Sequence, residues 1–134
     1  MTGSEVDLSG DWIGLYSYPE AHPPTRFRAH LRDEDGRLGG ETIEQEETFT
    51  GGAELRALID GRREGSAVTF AKVYEDEAFN SDFVRYEGTI AASGDEINGR
   101  WDVPGHWSGS FIMVRDSGAG EAAERRIAEM IETP

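Results

Sequence analysis

The chain has 134 residues, 37% of them hydrophobic and 30% charged, which suits one domain with a single core and argues against intrinsic disorder. Its formal net charge is −14, and this sign argues against binding to nucleic acids or to anionic membranes, because both would repel the protein. It has no cysteine, which excludes disulfides, thiolate metal sites and thiol nucleophiles.

In the first half of the chain, apolar residues recur at every second position between turn signals, which is the pattern of β-strands. Asp35-Gly36 predicts a tight hairpin turn with its glycine at positive φ. The segment that starts at Glu54 can also be read as the start of a helix, but Gly61 and Gly65 bound it closely and favour a strand. The predicted strands of this half cover residues 12–18, 26–32, 38–47 and 54–60.

The second half continues the same rhythm, with predicted strands over residues 67–74, 83–91, 96–103 and 107–115. Eight short strands at even spacing favour an all-β fold, an up-and-down antiparallel barrel, over an α/β fold, which needs long helical crossovers. Closure of the barrel removes exposed strand edges. A barrel of this size is just wide enough to be filled by side chains or to hold one small ligand.

Residues 119–132 change to helical periodicity, with Ala122, Ile127, Met130 and Ile131 on one face, and predict a C-terminal amphipathic α-helix. We expect the helix to pack on the barrel wall, to cover one barrel end or to contact a second subunit as a homodimer, with packing within the monomer favoured. The barrel is expected over about residues 8–116, and barrel and helix together form one predicted domain over residues 1–134.

The triplet Gly10-Asp11-Trp12, which opens the first strand, resembles the G-x-W signature of the calycin barrels, the lipocalins and their relatives. In lipocalins this tryptophan closes one barrel end against an arginine late in the last strand, and Arg115 stands at that place. The resemblance therefore implies that Trp12 and Arg115 close the barrel structurally. The glycine-rich rhythm, as in Asn98-Gly99-Arg100-Trp101, looks like that of small bacterial lipocalin-like proteins of uncharacterised function. A T-D-Y-like second motif is missing, and the avidins share the eight-stranded order and late tryptophans.

If Trp12 faces inward, the two-residue period of a strand assigns one face of every strand to the lumen. These faces are mostly apolar and aromatic with a few polar tips, which is typical of a ligand cavity and equally of a filled core. The candidate ligand-binding residues in the lumen are Tyr16, Tyr18, Glu44, Lys72, Tyr74, Tyr86 and Trp101.

Lys72 is the single lysine of the chain and lies in an otherwise apolar strand. Desolvation lowers the pKa of a lysine in a dry lumen, so the residue must lose its charge or find a partner. Glu44, in phase with Thr42 on the third strand, is one candidate partner. Lys72 then binds an anionic ligand group, acts as a base or Schiff-base amine, forms a satisfied structural pair, or reaches the barrel rim.

Three functions follow from these patterns. The first is a binding protein that holds a small hydrophobic or amphipathic molecule in the lumen. The second is a small enzyme of the isomerase or cyclase type, in which Lys72, Glu44 and a tyrosine carry out acid–base chemistry. The third is a structural or interaction domain with a filled core.

Several classes of cofactor and location are not expected. The sequence has no nucleophile elbow, phosphate loop or dinucleotide fingerprint, and its three histidines lack metal-site spacing, so neither cofactor nor metal is expected. The first residues lack the regions of a signal peptide, and no apolar run is long enough to span a membrane, so we expect a cytoplasmic protein.

Overall fold

The computed structural model of the chain describes residues 6–18, 24–46, 53–75, 83–103, 105 and 107–116. These residues form eight β-strands in chain order. Their bounds are β1 Gly10–Tyr16, β2 Thr25–Glu34, β3 Arg37–Glu46, β4 Ala53–Glu64, β5 Ala67–Tyr74, β6 Val84–Ile90, β7 Glu96–Val103 and β8 Trp107–Arg115.

Each strand pairs antiparallel with the next along the chain, and β1 pairs with β8, so the sheet closes into a barrel without crossovers. The closed eight-stranded antiparallel barrel predicted from the spacing of the strands is therefore confirmed. The predicted helix at 119–132 lies outside the described residues. The described ranges contain no helix with the length and hydropathy needed to cross a membrane.

The strands alternate between a lumen face and an outer face. In β2, Thr25, Phe27, Ala29 and Leu31 are buried, while the residues between them are exposed. The inward-facing positions of neighbouring strands lie side by side, since Ala29 is opposite both Trp12 of β1 and Thr42 of β3. The core thus lies inside the barrel.

The hairpin between β2 and β3 turns through Asp35 and Gly36, whose φ angles are 55° and 94°. Two successive residues at positive φ match the right-handed twist of the flanking strands, and glycine adopts this conformation without a steric penalty. The predicted hairpin turn is confirmed.

Three predicted strands differ from the observed ones by two residues or more at an end. β1 runs from Gly10 to Tyr16 and not from Trp12 to Tyr18, β2 continues past Arg32 to Glu34, and β4 continues past Asp60 to Glu64. Gly61 lies within β4 and does not end it. A Cβ atom at this position would collide with the carbonyl oxygen of Thr69 on β5. The glycine permits a close approach of two backbones within the sheet, which is the other common reason for glycine in a strand.

The seam between β1 and β8 differs from the rest of the wall, because its outer face is also apolar and buried. Ile13 and Leu15 lie opposite Val114 and Ile112, and this outer cluster is separate from the lumen core. Ile13 is fully buried although it points away from the lumen.

Candidate functional site

A group of polar side chains lies inside the upper half of the barrel, on the side of the β1–β2, β3–β4 and β5–β6 connections. We call it the lumen cluster. Its members come from four strands and all occupy lumen-facing positions: Tyr16 of β1, Glu44 of β3, Lys72 and Tyr74 of β5, and Tyr86 of β6. Except for Tyr74, which is partly exposed, all are buried.

An ion pair forms the centre of the lumen cluster. Lys72 Nζ lies 2.7 Å from Glu44 Oε1, and the two side chains are 1% and 0% exposed. Burying either charge alone would carry a large desolvation penalty, whereas a close pair of opposite charges offsets much of it. The structure therefore brings together the lysine and the carboxylate that the sequence singles out.

Three tyrosine hydroxyls form hydrogen bonds with the ion pair. Tyr74 donates a hydrogen bond of 2.9 Å to Glu44 Oε1, and Tyr16 donates a short one to Glu44 Oε2. Lys72 Nζ donates to the hydroxyl of Tyr86 over 3.5 Å. Both oxygens of the carboxylate are thus engaged, and every one of these bonds joins two side chains.

Aromatic rings surround the ammonium group of Lys72. Its Nζ atom lies 4.8 Å from the ring centroid of Tyr16, 5.0 Å from that of Tyr74, 5.1 Å from that of Phe27 and 5.7 Å from that of Tyr86. An ammonium within about 6 Å of a ring centroid is attracted to the π face. The rings therefore help to hold a charge that water does not reach.

Lys72 is held in its charged form. Burial alone lowers the pKa of Lys72, but Tyr86, Tyr74 and Glu44 outweigh it and raise that pKa well above the ordinary lysine value. A protonated amine donates hydrogen bonds but is neither a base nor a Schiff-base nucleophile.

The tyrosines remain neutral hydroxyls. Burial raises the pKa of Tyr16, Tyr74 and Tyr86. The charge of Glu44 raises the pKa of Tyr16 further, while Lys72 opposes the effect of burial on Tyr74 and Tyr86 without cancelling it. The cluster therefore offers neutral hydroxyl groups and one compensated pair of charges.

A row of aromatic residues leads from the lumen cluster to the upper end of the barrel. The hydroxyl of Tyr18 lies 3.5 Å from that of Tyr16 and 3.1 Å from Thr25 Oγ1. The ring of Tyr18 packs against those of Trp101 and Trp107 at centroid distances of 5.9 and 5.1 Å. Tyr18 and Trp107 are partly exposed. We call Tyr18, Trp101 and Trp107 the aromatic mouth, because these residues connect the buried cluster to the surface.

The opposite end of the barrel contains Trp12 and Arg115. The guanidinium carbon of Arg115 lies 4.6 Å from the ring centroid of Trp12, and Trp12 Nε1 donates a hydrogen bond to the carbonyl of Leu8. Arg115 also donates to the backbone carbonyls of Asp7, Ser9 and Gly94 and to the carboxylate of Asp95. The two residues are in contact at this end, which we call the closed end because Trp12 is fully buried there.

A second buried ion pair, which the sequence analysis missed, lies at the same end. Arg63 Nε donates to Asp33 Oδ2 over 2.8 Å, and the side chains are 8% and 1% exposed. The backbone amides of Leu8 and Gly36 also donate to the Asp33 carboxylate, each over 2.9 Å. Phe27, Ala29 and Leu31 face the lumen at every second position, and Asp33 is the next position in this alternation, beyond the predicted end of the strand. The alternation is the sequence pattern that indicates an inward-facing Asp33.

Thr42 is a further buried polar residue, which the sequence pattern indicates only as lying on the same strand face as Glu44. Its side chain faces the lumen two residues before Glu44 and is 1% exposed. Its hydroxyl oxygen, Oγ1, is a buried polar atom with no hydrogen-bond partner among the described residues. Such a group requires an explanation, because burying a hydroxyl without a partner is unfavourable.

Within the described ranges, no group of three or more His, Asp or Glu side chains has the arrangement of a metal site. Comparison with known proteins adds no identification, since no protein-family model and no curated protein matches the chain.

Proposed function

We propose that the protein binds a small, uncharged, partly aromatic molecule in the barrel lumen, where the molecule enters through the aromatic mouth and contacts the lumen cluster. The observation that carries the proposal is the Lys72–Glu44 pair, which is almost completely buried and surrounded by tyrosine hydroxyls and rings. The contacts of the ligand are assigned to Tyr16, Tyr18, Glu44, Lys72, Tyr74, Tyr86 and Trp101.

The energetics of a buried ion pair support a role beyond stability. Replacing such a pair by well-packed apolar residues is often neutral or stabilising, so the pair is a poor device for stabilising a lumen. Within the described residues the pair is contacted by side chains, and such contacts can rearrange around a ligand without breaking the backbone hydrogen bonds of the barrel.

The expected charge of the ligand follows from the opposite charges of Lys72 and Glu44, which neutralise each other. Lys72 is neutralised by Glu44 at 2.7 Å, so an anionic ligand would have to compete with a carboxylate already in place. A cationic ligand would meet the buried ammonium of Lys72. An uncharged molecule with hydroxyl or carbonyl groups avoids both penalties and can exchange hydrogen bonds with the tyrosines.

The relation to the lipocalin-like calycin barrels belongs to the same proposal. It is supported by the closed eight-stranded order and by the contact of Trp12 with Arg115. A lipocalin-like protein with a closed lower end would receive its ligand from the upper end, on the side of Tyr18 and Trp107.

Titration of the isotope-labelled full chain by NMR tests the proposal with three probes that share a p-tolyl ring: p-cresol, 4-methylbenzoate and 4-methylbenzylammonium. We expect p-cresol to shift the signals of Tyr16, Tyr86 and Trp101, and to bind at least about tenfold more tightly than either charged probe, because burial of an uncompensated charge is unfavourable. In the apolar double variant Lys72→Met/Glu44→Leu, binding of p-cresol should weaken.

The matched control replaces an exposed pair on the outer wall, Arg85 and Asp102, by Arg85→Gln/Asp102→Asn and should leave binding unchanged. Charged probes that bind as tightly as p-cresol would overturn the proposed ligand class. The absence of lumen shifts with all three probes would overturn binding itself and support the filled-core alternative.

A further inference from the structure

The lumen wall beside the Lys72–Glu44 pair contains a row of short side chains. Ala29 of β2, Thr42 of β3 and Ala57 of β4 lie side by side, since Thr42 is the register partner of both alanines. All three are at least 96% buried, with exposures of 4%, 1% and 0%. Two residues further along β3 is Gly40, which has no side chain. The side chains of this row are short, whereas the lumen core elsewhere contains aromatic and larger aliphatic residues.

The hydroxyl of Thr42 is the one polar group in this row. Thr42 Oγ1 is buried and has no partner in the described part of the chain. A hydroxyl has one donor hydrogen and two acceptor lone pairs, so it can bind either a hydroxyl or a carbonyl group. Its flanking alanines offer no competing polar side chain, and neither alanine extends past its own Cβ atom toward the lumen.

We propose that the row Ala29, Thr42 and Ala57 is a subsite that binds one uncharged hydroxyl or carbonyl oxygen of the ligand through Thr42 Oγ1. The inference rests on the proposed function and adds to it a specific contact. Thr42 lies on the same face of β3 as Glu44, two residues away. A ligand that enters from the mouth would therefore pass the tyrosine hydroxyls and place its inner polar atom at Thr42.

The experiment compares p-cresol with p-xylene, in which a methyl group replaces the hydroxyl and the shape is nearly unchanged. Dissociation constants are measured by NMR for the wild-type chain, for Thr42→Val, which removes the hydroxyl at almost constant volume, and for Thr42→Ser, which keeps it. The wild type should prefer p-cresol, Thr42→Ser should retain the preference, and Thr42→Val should reduce it about fivefold to tenfold, the size expected for one hydrogen bond.

A second measurement does not depend on any probe. If Thr42 Oγ1 has no partner in the ligand-free protein, Thr42→Val removes an unsatisfied hydroxyl and should raise the thermal midpoint by about 4 °C. A lower midpoint for Thr42→Val would show that the hydroxyl already has a partner, such as an internal water molecule, and would overturn the subsite.

The two proposals fail in different ways. If both probes bind in the lumen and the preference for p-cresol is the same in wild type and Thr42→Val, the subsite is wrong while the proposed binding function stands. If neither probe shifts a lumen signal of the wild type, the proposed function is wrong and the subsite is overturned with it.

Discussion

Two buried ion pairs lie in the described part of the barrel, and they differ in the groups that contact them. At the closed end, the Asp33 carboxylate accepts hydrogen bonds from Arg63 and from the backbone amides of Leu8 and Gly36. In the lumen cluster, the Glu44 carboxylate is bound by the side chains of Lys72, Tyr16 and Tyr74. Asp33 thus binds two main-chain amides, whereas the contacts of Glu44 among the described residues are with side chains.

This difference separates a structural role from an exchangeable one. Removal of Asp33 leaves buried backbone amides without acceptors, and no apolar side chain can replace it. The contacts described for the lumen pair are with side chains, and these side chains can form hydrogen bonds with another group instead. The Asp33–Arg63 pair is therefore tied to the backbone of the barrel, whereas we propose that the lumen cluster reorganises around a ligand.

The largest expected effect tests this comparison directly. Lys72→Met leaves the Glu44 carboxylate buried without its counter-ion and should lower the free energy of unfolding by about 3–5 kcal/mol. The double variant Lys72→Met/Glu44→Leu should recover most of that loss, because the isolated charge is gone. Urea unfolding followed by circular dichroism measures both values.

The matching double variant at the closed end is Asp33→Leu/Arg63→Met, and it should not recover the stability lost in Asp33→Leu. Its backbone amides at Leu8 and Gly36 remain without acceptors. Equal recovery at the two sites would remove the distinction between them.

The second prediction concerns alkaline pH. The pKa of Lys72 and those of Tyr16, Tyr74 and Tyr86 are raised in the folded state, so the folded chain holds their protons longer than the unfolded chain does. Their contribution to stability is complete below the unfolded values, about 10 for tyrosine and about 10.4 for lysine, and is lost as the pH rises through the folded values. Tyrosinate absorbance should therefore appear together with the loss of the circular dichroism signal.

In the variant Lys72→Met/Glu44→Leu, the alkaline loss of stability should be shallower, since the lysine no longer contributes. Tyrosinate absorbance that develops fully while the barrel stays folded would contradict the burial of these hydroxyls.

The third prediction concerns acid pH and the closed end. Burial alone raises the pKa of Asp33, but hydrogen bonds from Arg63, Leu8 and Gly36 outweigh it and hold the pKa below its ordinary value. The contribution of Asp33 is present above the unfolded value of about 3.9 and is lost as the pH falls through the folded value. Asp33→Asn should flatten the stability profile below about pH 4, while Lys72→Met/Glu44→Leu should retain the Asp33-dependent part of the acid limb.

The smallest expected effect is that of Arg115→Lys. An ammonium group cannot reproduce the planar set of donors that reaches Asp7, Ser9, Gly94 and Asp95. We expect a loss of about 1–2 kcal/mol in urea unfolding and no change in the affinity for p-cresol. A change in affinity would mean that the two ends of the barrel are coupled.

The sequence predicts most of this barrel because one face of each strand is buried and the side-chain period is two. That period placed Glu44 and Lys72 on the lumen faces of non-neighbouring strands, and the desolvation argument made each a candidate partner of the other. The sequence pattern did not reveal that Gly61 lies within β4. Glycine is required there by the close approach of the β5 backbone and not by a local turn.

The missed contacts share a cause. Asp33 and Arg63 lie at turn-proximal positions where a charged residue is ordinarily solvated, and only the register that brings two hairpins together makes them partners. The isolation of the Thr42 hydroxyl depends on the identity of its register partners, Ala29 and Ala57, across two strand pairs. A one-dimensional pattern does not contain such lateral neighbours.

The seam between β1 and β8 has a consequence for how the barrel forms. It joins the two strands that are farthest apart in the chain, so its pairing bears the largest loop-closure entropy of any strand pair here. The seam is also buried on both faces, with Trp12 and Tyr16 inside and Ile13 and Leu15 outside. The apolar contacts on both faces favour the least local pairing, and amide protons of β1 should be among the slowest to exchange once the ring has closed.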